Sequence, residues 1–270
     1  MPNRSPLKQF AEILLPRSAI VRFQVHRGLR GSPDREAQLL PLLARRGCFL
    51  DIGANRGSWA GPAARVFREV HAFEPEPELA AALRKAAPAN VTVHGLALSD
   101  HEGWGRFAVP VYGGEAVTTR ATLEAGANVG FERELVHEVQ LARLDSLRLR
   151  HVDAIKIDVE GHEAAVLEGA WDTIDREHPP LIVEIEERHH PGESESIIER
   201  LAAHDYLCYY IGDEGLESFV PGSIEVLQQD RARPDPGRRP GGYINNFIFW
   251  PRERHRELAG LESFVAAQLH

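Results

Sequence analysis

Three acidic residues, Asp51, Glu74 and Asp158, stand at the ends of short apolar runs that have the length of buried strands. In an α/β sheet the carboxyl ends of parallel strands meet at one edge, and ligands bind in the crevice outside that edge. Carboxylates placed there can accept hydrogen bonds from the hydroxyl groups of a ligand. The pattern therefore predicts an α/β domain with a polar ligand site built from separate parts of the chain.

The turn after the first strand has the form Asp-x-Gly-x-Asn-x-Gly, in which Gly53, Asn55 and Gly57 follow Asp51. Glycine has no Cβ, so a ligand can lie against the backbone there. A dinucleotide fingerprint requires G-x-G-x-x-G around a pyrophosphate, whereas here the middle glycine is missing and an acid precedes the turn. The pattern instead suits S-adenosylmethionine, which carries an ammonium, a carboxylate and a ribose but no phosphate. The alternative is an ordinary structural strand-to-helix turn.

A second acid follows at a distance that suits a ribose. Glu74 lies 21 residues after Gly53, close to the offset of about 20 at which an acid binds ribose hydroxyls in nucleotide folds. Beyond the third predicted strand, Ser99 and Asp100 would face an adenine, and Asp100 could accept a hydrogen bond from its amine. The structural alternatives are a helix-start acid at position 74 and a turn residue at position 100.

Composition limits the class of protein. The chain has 270 residues, 43% of them hydrophobic, and a net charge of −9. Its size suffices for one large domain, and its negative charge argues against a general nucleic-acid binder. Since no apolar run reaches the 18 or so residues of a spanning helix and no signal peptide is visible, we expect no transmembrane segment and a cytoplasmic location. Cys48 and Cys208 lie in apolar runs and imply no disulfide framework.

Charge divides the chain into a basic N-terminal helical arm, residues 1–46, and an acidic domain, residues 47–270. The arm carries nine Lys or Arg residues and three acids, a net charge of +6, whereas the remainder carries −15. The preferred interpretation is a pair of helices packed on the acidic domain. The alternatives are peripheral contact with an anionic membrane surface and contact with a partner subunit, as in a homodimer.

Residues 101–150 do not form a simple βα unit and are predicted to be an insertion. Residues 106–110 and 136–141 have the pattern of added strands. The polar, glycine-rich segment 112–119 between them is interpreted as a lid or acceptor-side loop; the alternative is an ordinary surface hairpin. Residues 228–242, rich in Arg, Pro and Gly, indicate an exposed loop.

Four pieces of sequence occur in order: Leu50-Asp-Ile-Gly-Ala-Asn-Arg-Gly, Phe73-Glu-Pro-Glu-Pro, Ile155-Lys-Ile-Asp-Val-Glu-Gly-His-Glu and Ile182-Val-Glu-Ile. Together they resemble the FkbM-type family of S-adenosylmethionine-dependent methyltransferases over roughly residues 35–212, and the Lys-Ile-Asp-Val-Glu-Gly piece is the most distinctive. The resemblance implies the Rossmann-like class I methyltransferase fold. That fold has a seven-stranded, mostly parallel sheet with an antiparallel last strand and helices on both faces.

The resemblance also implies the reaction, which is methyl transfer to a hydroxyl oxygen of a sugar, lipid or natural-product acceptor. By position, the Asp51 to Gly57 turn would hold the methionine end of the cofactor. Glu74 would hold the ribose, and Asp158 would lie beside the transferring methyl group.

A hydroxyl acceptor has to lose a proton, so the site needs a base. The candidates are Glu160 and His162, at the start of the helix after Asp158, and Glu184 in the fifth predicted strand; His189 is a weaker candidate. A divalent metal held by Asp158, Glu160 and Glu184 could instead lower the pKa of the acceptor, but we expect none.

Two other classes of protein remain open at this stage. A non-catalytic nucleotide-binding module could keep the fold without the chemistry, although the intact acids at positions 51, 74 and 158 argue against it. A nicotinamide-dependent oxidoreductase is the less favoured alternative because of the missing middle glycine.

Overall fold

The computed structural model describes residues 17–124, 126, 130–189, 191–228 and 243–269. The first 16 residues of the predicted arm and residues 229–242 of the predicted loop lie outside the described residues. Within the described part, no helix combines the length and apolarity that a membrane span requires.

The described strands are numbered in chain order. They are β1 (Cys48–Ile52), β2 (Glu69–Phe73), β3 (Val91–His94), β4 (Ala97–Leu98), β5 (Gly103–Tyr112), β6 (Glu115–Ala116), β7 (Arg133–Ala142), β8 (Val152–Ile157), β9 (Leu181–Glu184), β10 (Tyr206–Ile211), β11 (Leu216–Ser218) and β12 (Asn246–Pro251).

The main sheet has eight strands in the order β11-β10-β12-β9-β8-β1-β2-β3. The ladder from β9 through β8, β1 and β2 to β3 is parallel, and β12 runs antiparallel between β9 and β10. An antiparallel last strand is therefore confirmed. The predicted count of seven strands is wrong, because Leu216–Ser218 turns back and adds an eighth, antiparallel edge strand beside β10.

The described α-helices are also numbered in chain order. They are α1 (Arg17–Gly28), α2 (Leu40–Leu43), α3 (Ala60–Ala63), α4 (Pro77–Ala86), α5 (Glu163–Glu168), α6 (Trp171–Glu177), α7 (Ser194–Ala203), α8 (Ile224–Leu227) and α9 (Leu258–Leu269).

Helices cover both faces of the main sheet, as predicted. Alternate residues of β1 point to opposite sides because side chains on a strand have a period of two. Phe49 packs with the side chains of α1 to α4 and α9, whereas Leu50 and Ile52 pack with those of α5 to α8. Both faces of β1 are therefore apolar, which explains its nearly continuous run of hydrophobic residues.

The described part of the arm packs on the first of these faces. Val21 and Val25 of α1 are buried there, together with Leu39, Leu40 and Leu43. The capping sequence Ser32-Pro33-Asp34 and the apolar pattern after it predict an amphipathic helix over residues 34–43. In the structure this segment starts as the 3-10 helix Arg35–Leu39 and becomes α-helical only at Leu40.

A second, four-stranded sheet has the order β4-β7-β5-β6 and its own small core. The two strands predicted in the insertion are confirmed as β5 and β7, which pair antiparallel over most of their length. The third predicted strand, at residues 91–98, is divided: β3 pairs with β2 in the main sheet, and β4 pairs with β7 in the second sheet. This division brings the second sheet over the carboxyl edge of the main sheet.

Candidate active site

A crevice lies at the carboxyl ends of β1, β2 and β8. Its empty volume, counted out to its open mouth, is about 670 Å³, a size typical of small-molecule sites. The register aligns the strand ends, because Ile52 pairs with Phe73 on one side and with Ile157 on the other. Six of the predicted site residues line the crevice: Gly53, Asn55, Glu74, Asp158, Glu160 and His162.

Gly53 allows the first turn to approach the end of β8. Its φ is +83°, in the left-handed region that glycine adopts without strain. A Cβ at this position would stand 1.8 Å from the carbonyl oxygen of Asp158. The glycine is thus required by the neighbouring backbone, and it keeps two walls of the crevice in contact.

Glu74 is buried at the end of β2 and faces the crevice. The backbone N–H groups of Asn55 and Glu76 donate to its two carboxylate oxygens, each at 2.7 Å. Burial raises the pKa of Glu74 to about 8, although these two hydrogen bonds favour the ionised form. Each oxygen has a second lone pair, so the carboxylate can still accept from two ligand hydroxyls.

Asp51 and Gly57 belong to the same turn but do not line the crevice. The Asp51 carboxylate accepts a hydrogen bond at 2.8 Å from the N–H of Ala60, at the start of α3. Burial raises the pKa of Asp51 to about 7, and Lys156 opposes the shift. A Cβ on Gly57 would meet Leu29 and Leu83 at 2.8 Å. In this structure both residues therefore stabilise the turn through contacts outside the crevice.

Ser99 and Asp100 also lie outside the crevice lining. The Ser99 hydroxyl is 3.1 Å from Asp100 Oδ1 and 2.9 Å from His162 Nε2. The other ring nitrogen of His162 is 2.6 Å from Glu124 Oε1. Both nitrogens of His162 are therefore engaged by neighbouring side chains, which fixes the ring at the crevice wall.

Lys156 lies at the centre of the acidic side of the site. Its ammonium group is 3.8 Å from Asp158 Oδ2 and 4.0 Å from Glu184 Oε2, and it donates to the carbonyl of Ile157 at 3.2 Å. Burial alone would lower the pKa of Lys156, but the charges of the surrounding carboxylates, Asp158 and Glu184 first among them, together raise the pKa. A lysine inside a central strand is costly unless it is paired, so the sequence alone predicts a carboxylate or a carbonyl beside Lys156, and these contacts confirm the prediction.

Glu160 has an unusual backbone and an unusual charge environment. Its φ is +50°, a left-handed conformation that is uncommon outside glycine. Burial raises its pKa to about 8, and the charges of Asp158 and Glu186 add to the shift. His189 Nε2 lies 3.1 Å from the Glu160 carboxylate, so the weaker base candidate contacts a stronger one.

Glu184 is set back from the crevice. It accepts a hydrogen bond at 2.7 Å from the side chain of Asn245. Burial raises its pKa, and the neighbouring charge of Asp158 adds to this shift. Asp158, Glu160 and Glu184 can place one carboxylate oxygen each within 4.8 Å of one another. This spacing matches the metal-ligand set considered from the sequence.

The insertion closes the crevice from above. We call residues 118–124 the strap. The Asn55 side chain donates to the carbonyl of Thr118 at 3.2 Å, and the hydroxyl of Thr122 donates to the carbonyl of Glu160 at 2.8 Å. Together with the contact between Glu124 and His162, these bonds tie the strap to both walls.

The apolar part of the crevice wall was missed by the sequence reasoning. Its residues are Phe73, Leu96, Leu98, Phe107, Ala121 and Leu123. They come from both sheets and from the strap, and apolar residues in strands carry no signal that separates a pocket wall from a core. Glu124 was missed as well, because its role depends on the path of the insertion.

A sequence model of a protein family matches more than half of the chain. The sequence model of the Methyltransferase FkbM domain matches residues 51–208. A comparison with curated proteins finds no match.

Solved structures give distant likenesses. The methyltransferase FkbM of Methylobacillus flagellatus KT is 15% identical, with a TM-score of 0.45; the alignment covers 77% of this chain and 44% of that one. The precorrin-6y C5,15-methyltransferase of Geobacter metallireducens GS-15 is 16% identical, with a TM-score of 0.38, over 80% of this chain and 86% of that one. Thus the chain spans less than half of the length of the Methylobacillus protein.

The tRNA (m1A58) methyltransferase TrmI of Aquifex aeolicus is a third likeness, 11% identical with a TM-score of 0.34, over 87% of this chain and 68% of that one. At these TM-scores the structural likenesses carry no argument about activity. The family assignment therefore rests on the matched domain, which spans more than half of the chain and contains the glycine turn, Glu74 and Asp158. The chain belongs to the FkbM methyltransferase family.

Proposed function

We propose that the protein transfers the methyl group of S-adenosylmethionine to a hydroxyl oxygen of a sugar, lipid or natural-product acceptor. The observation that carries the proposal is the crevice itself. One of its walls presents Gly53, Asn55 and the buried carboxylate of Glu74, and the facing wall presents Asp158 and Glu160. Two different partners, a cofactor and an acceptor, can therefore meet between the walls.

The first wall fits the adenosyl and methionine ends of the cofactor. The lone pairs that remain on Glu74 suit a ribose diol, and the absence of a Cβ at Gly53 leaves the turn open to close approach. The apolar wall that includes Leu98 and Phe107 suits the flat face of an adenine. Asp51 supports this wall from behind by its bond to the N–H of Ala60.

The cofactor supplies a methyl group activated by a positively charged sulfur. The chain has to align an acceptor oxygen with that carbon, and alignment alone can lower a barrier by about 7–11 kcal/mol. Asp158 lines the facing wall and is the residue that we place beside the methyl group. The strap is bonded to both walls, so it would limit the access of water to the reacting atoms from its side of the crevice.

Glu160 is the base that the geometry favours. It lines the crevice, its carboxylate contacts His189, and its raised pKa of about 8 lies nearer to that of a hydroxyl acceptor than an ordinary carboxylate does. His162 also lines the crevice, but Glu124 and Ser99 already engage both of its nitrogens. We therefore assign His162 a positioning role and Glu184 the role of holding Lys156 in place.

The same cluster argues for methyl transfer without a divalent metal. The oxygens of Asp158, Glu160 and Glu184 have the donor type and spacing of a hard-cation site. Positive side chains already contact each of them, since Lys156 lies beside Asp158 and Glu184, and the guanidinium of Arg188 lies 3.3 Å from the Glu160 carboxylate. A metal would have to displace or repel these cations.

Isothermal titration calorimetry with S-adenosylmethionine and with NAD tests the cofactor. We expect S-adenosylmethionine to bind and NAD not to bind. The variant E74Q should weaken cofactor binding by about tenfold to a hundredfold, because it replaces one acceptor oxygen by an NH2 donor that would face the backbone N–H of Asn55 or Glu76. The control is E69Q, at the opposite end of the same strand, which should bind as the wild type does.

Incubation with labelled cofactor and with fractionated host glycans, lipids and secondary metabolites tests the transfer step. Label should appear in an acceptor as a base-stable ether, which indicates a methylated hydroxyl. Tight cofactor binding with no labelled product in any fraction would favour the non-catalytic module. Binding of NAD in place of S-adenosylmethionine would overturn the proposal.

A further inference from the structure

Helix α1 has apolar residues on two opposite sides. Val21 and Val25 are buried against the domain. Phe23 lies about half a turn away from both, and 71% of its surface is exposed. A helix that only packs on its own domain needs an apolar stripe on one side. The outward phenylalanine is not explained by the fold.

Basic residues surround Phe23 on the outer side. Arg22, His26 and Arg27 are exposed on the helix, and Arg30 is exposed just after it. The segment Arg17–Gly28 contains no acid. Arg22 Nε donates to the carbonyl of Ser18 within the same helix, and among the described residues no carboxylate forms an ion pair with Arg22, Arg27 or Arg30. Charge of one sign therefore accumulates on this side of the molecule.

Arg56 extends the positive charge to the glycine turn. Gly28 packs directly against the backbone of Arg56. The Nε of Arg56 is buried and has no hydrogen-bond partner. Burial lowers the pKa of Arg56, and the nearby charge of Arg27 adds to this effect. Two guanidinium groups that repel each other would both be stabilised by an external anion.

We propose that the arm face, formed by Arg22, Phe23, His26, Arg27 and Arg30, docks on an anionic lipid surface. A helix that lies in a membrane interface combines basic residues with an aromatic side chain that reaches the acyl boundary. The −15 charge of residues 47–270 is repelled by the same surface. The contrast would orient the molecule so that only the arm face approaches the lipid.

A second copy of the chain is a less suitable partner for the arm face than an anionic lipid surface. A two-fold interface places the same patch on both subunits, so arginines would face arginines. The centres of protein interfaces are also depleted of charge. A nucleic acid is bound mainly through its phosphates and offers no acyl layer for the exposed Phe23. An anionic bilayer is thus the partner whose chemistry complements both the arginines and the phenylalanine.

Vesicle co-sedimentation of the full chain tests the inference. The vesicles contain phosphatidylcholine alone or a mixture of phosphatidylcholine and phosphatidylglycerol. We expect the wild type to bind the mixed vesicles only, and to be released by high salt. The double variant F23S/R27E should lower the partition coefficient by about tenfold or more, since it removes an aromatic and reverses a charge.

The matched control is W104S/R106E on β5. Trp104 is 72% exposed and Arg106 is also exposed, so this variant makes the same chemical change elsewhere on the surface. It should bind mixed vesicles as the wild type does. Equal losses in both variants, or no binding of the wild type to mixed vesicles, would overturn the inference. So would a dimer, seen by sedimentation velocity without lipid, that F23S/R27E converts to monomer.

Discussion

The two walls of the crevice are built in different ways. The wall that we assign to the cofactor, called the cofactor wall, contains Gly53, Asn55 and Glu74; it comes from the ends of two adjacent strands and is held by hydrogen bonds from backbone N–H groups. The wall that we assign to the acceptor, called the acceptor wall, contains Asp158 and Glu160; it is held by Lys156 of β8, which also contacts β9, and by side chains from the strap and from the loop after β9. One wall depends on close backbone contacts and the other on a network of charges.

This difference separates binding from turnover. A backbone-defined wall has one arrangement and suits a constant ligand, the cofactor. A wall made of charged side chains can hold carboxylates at raised pKa values and suits proton transfer. We expect substitutions on the first wall to affect folding and cofactor affinity, and substitutions on the second to affect the catalytic rate.

The largest effect is expected at the point where the walls touch. The variant G53A places a Cβ 1.8 Å from the carbonyl oxygen of Asp158 and forces alanine into a left-handed conformation. We expect a loss of about 3 kcal/mol or more in the free energy of unfolding, together with loss of measurable cofactor binding. Denaturant unfolding and calorimetry check both results.

The control for this variant is G31A. No atom lies within 4 Å of a Cβ built on Gly31, so the substitution should leave both the stability and the affinity unchanged. If G53A bound the cofactor with the same affinity as G31A, the cofactor wall would not depend on its contact with the end of β8. The proposed difference between the two walls would then be wrong.

The second prediction separates the two walls by function. The variant E160Q should keep the cofactor affinity within about twofold and lower kcat by about a hundredfold, because the amide cannot accept the acceptor proton. Burial raises the pKa of Glu160 to about 8. The ionised form is the base, so kcat/KM of the wild type should rise with pH through about 8 and then level off. The residual activity of E160Q should lack this rise.

Two controls accompany the rate measurement. The first control is E163Q. Glu163 is a buried acid close to Glu160 in the sequence; its carboxylate accepts a hydrogen bond from the N–H of Gly161, and it does not line the crevice. E163Q should therefore retain kcat. An excess of chelator should leave wild-type turnover unchanged if Glu160 acts as a base. A chelator-sensitive rate would instead assign Asp158, Glu160 and Glu184 to a metal.

The cofactor wall was the more predictable of the two. The motif from Asp51 to Gly57 and the acid at position 74 are local patterns, and their outline could be read from spacing alone. Their individual roles could not be read in the same way. Asp51 supports Ala60, and Gly57 makes room for Leu29 and Leu83. These roles depend on which side chains fold back on the turn, and spacing contains no such information.

The parts of the fold that the sequence did not predict also depend on tertiary packing. The strand expected at residues 91–98 carries one continuous pattern, but the chain changes sheets between His94 and Ala97. The sequence also suggests a helix over residues 59–68. The α-helix ends at Ala63, because the N–H groups of Arg65 and Val66 bond to the carbonyls three residues earlier and the chain tightens there. Local patterns predicted most of the strands, whereas tertiary packing decided where several elements end.

The smallest predicted effect lies in the strap, which joins the walls. Thr122 is buried; its hydroxyl donates to the carbonyl of Glu160 and accepts from the N–H of Glu124 at 3.0 Å. The variant T122V keeps the shape and removes both bonds. We expect a loss of about 1–2 kcal/mol in the free energy of unfolding, and about a threefold to tenfold loss in kcat/KM with cofactor affinity unchanged.

The matched control is T173V, a buried threonine in α6 that lies away from the crevice. The same unfolding and rate measurements apply to T173V, and it should change the free energy of unfolding without changing kcat/KM. If T122V weakened cofactor binding more than it slowed turnover, the strap would belong to the cofactor wall. The bond from Asn55 to Thr118 would then be its main attachment, in place of the bond from Thr122 to Glu160.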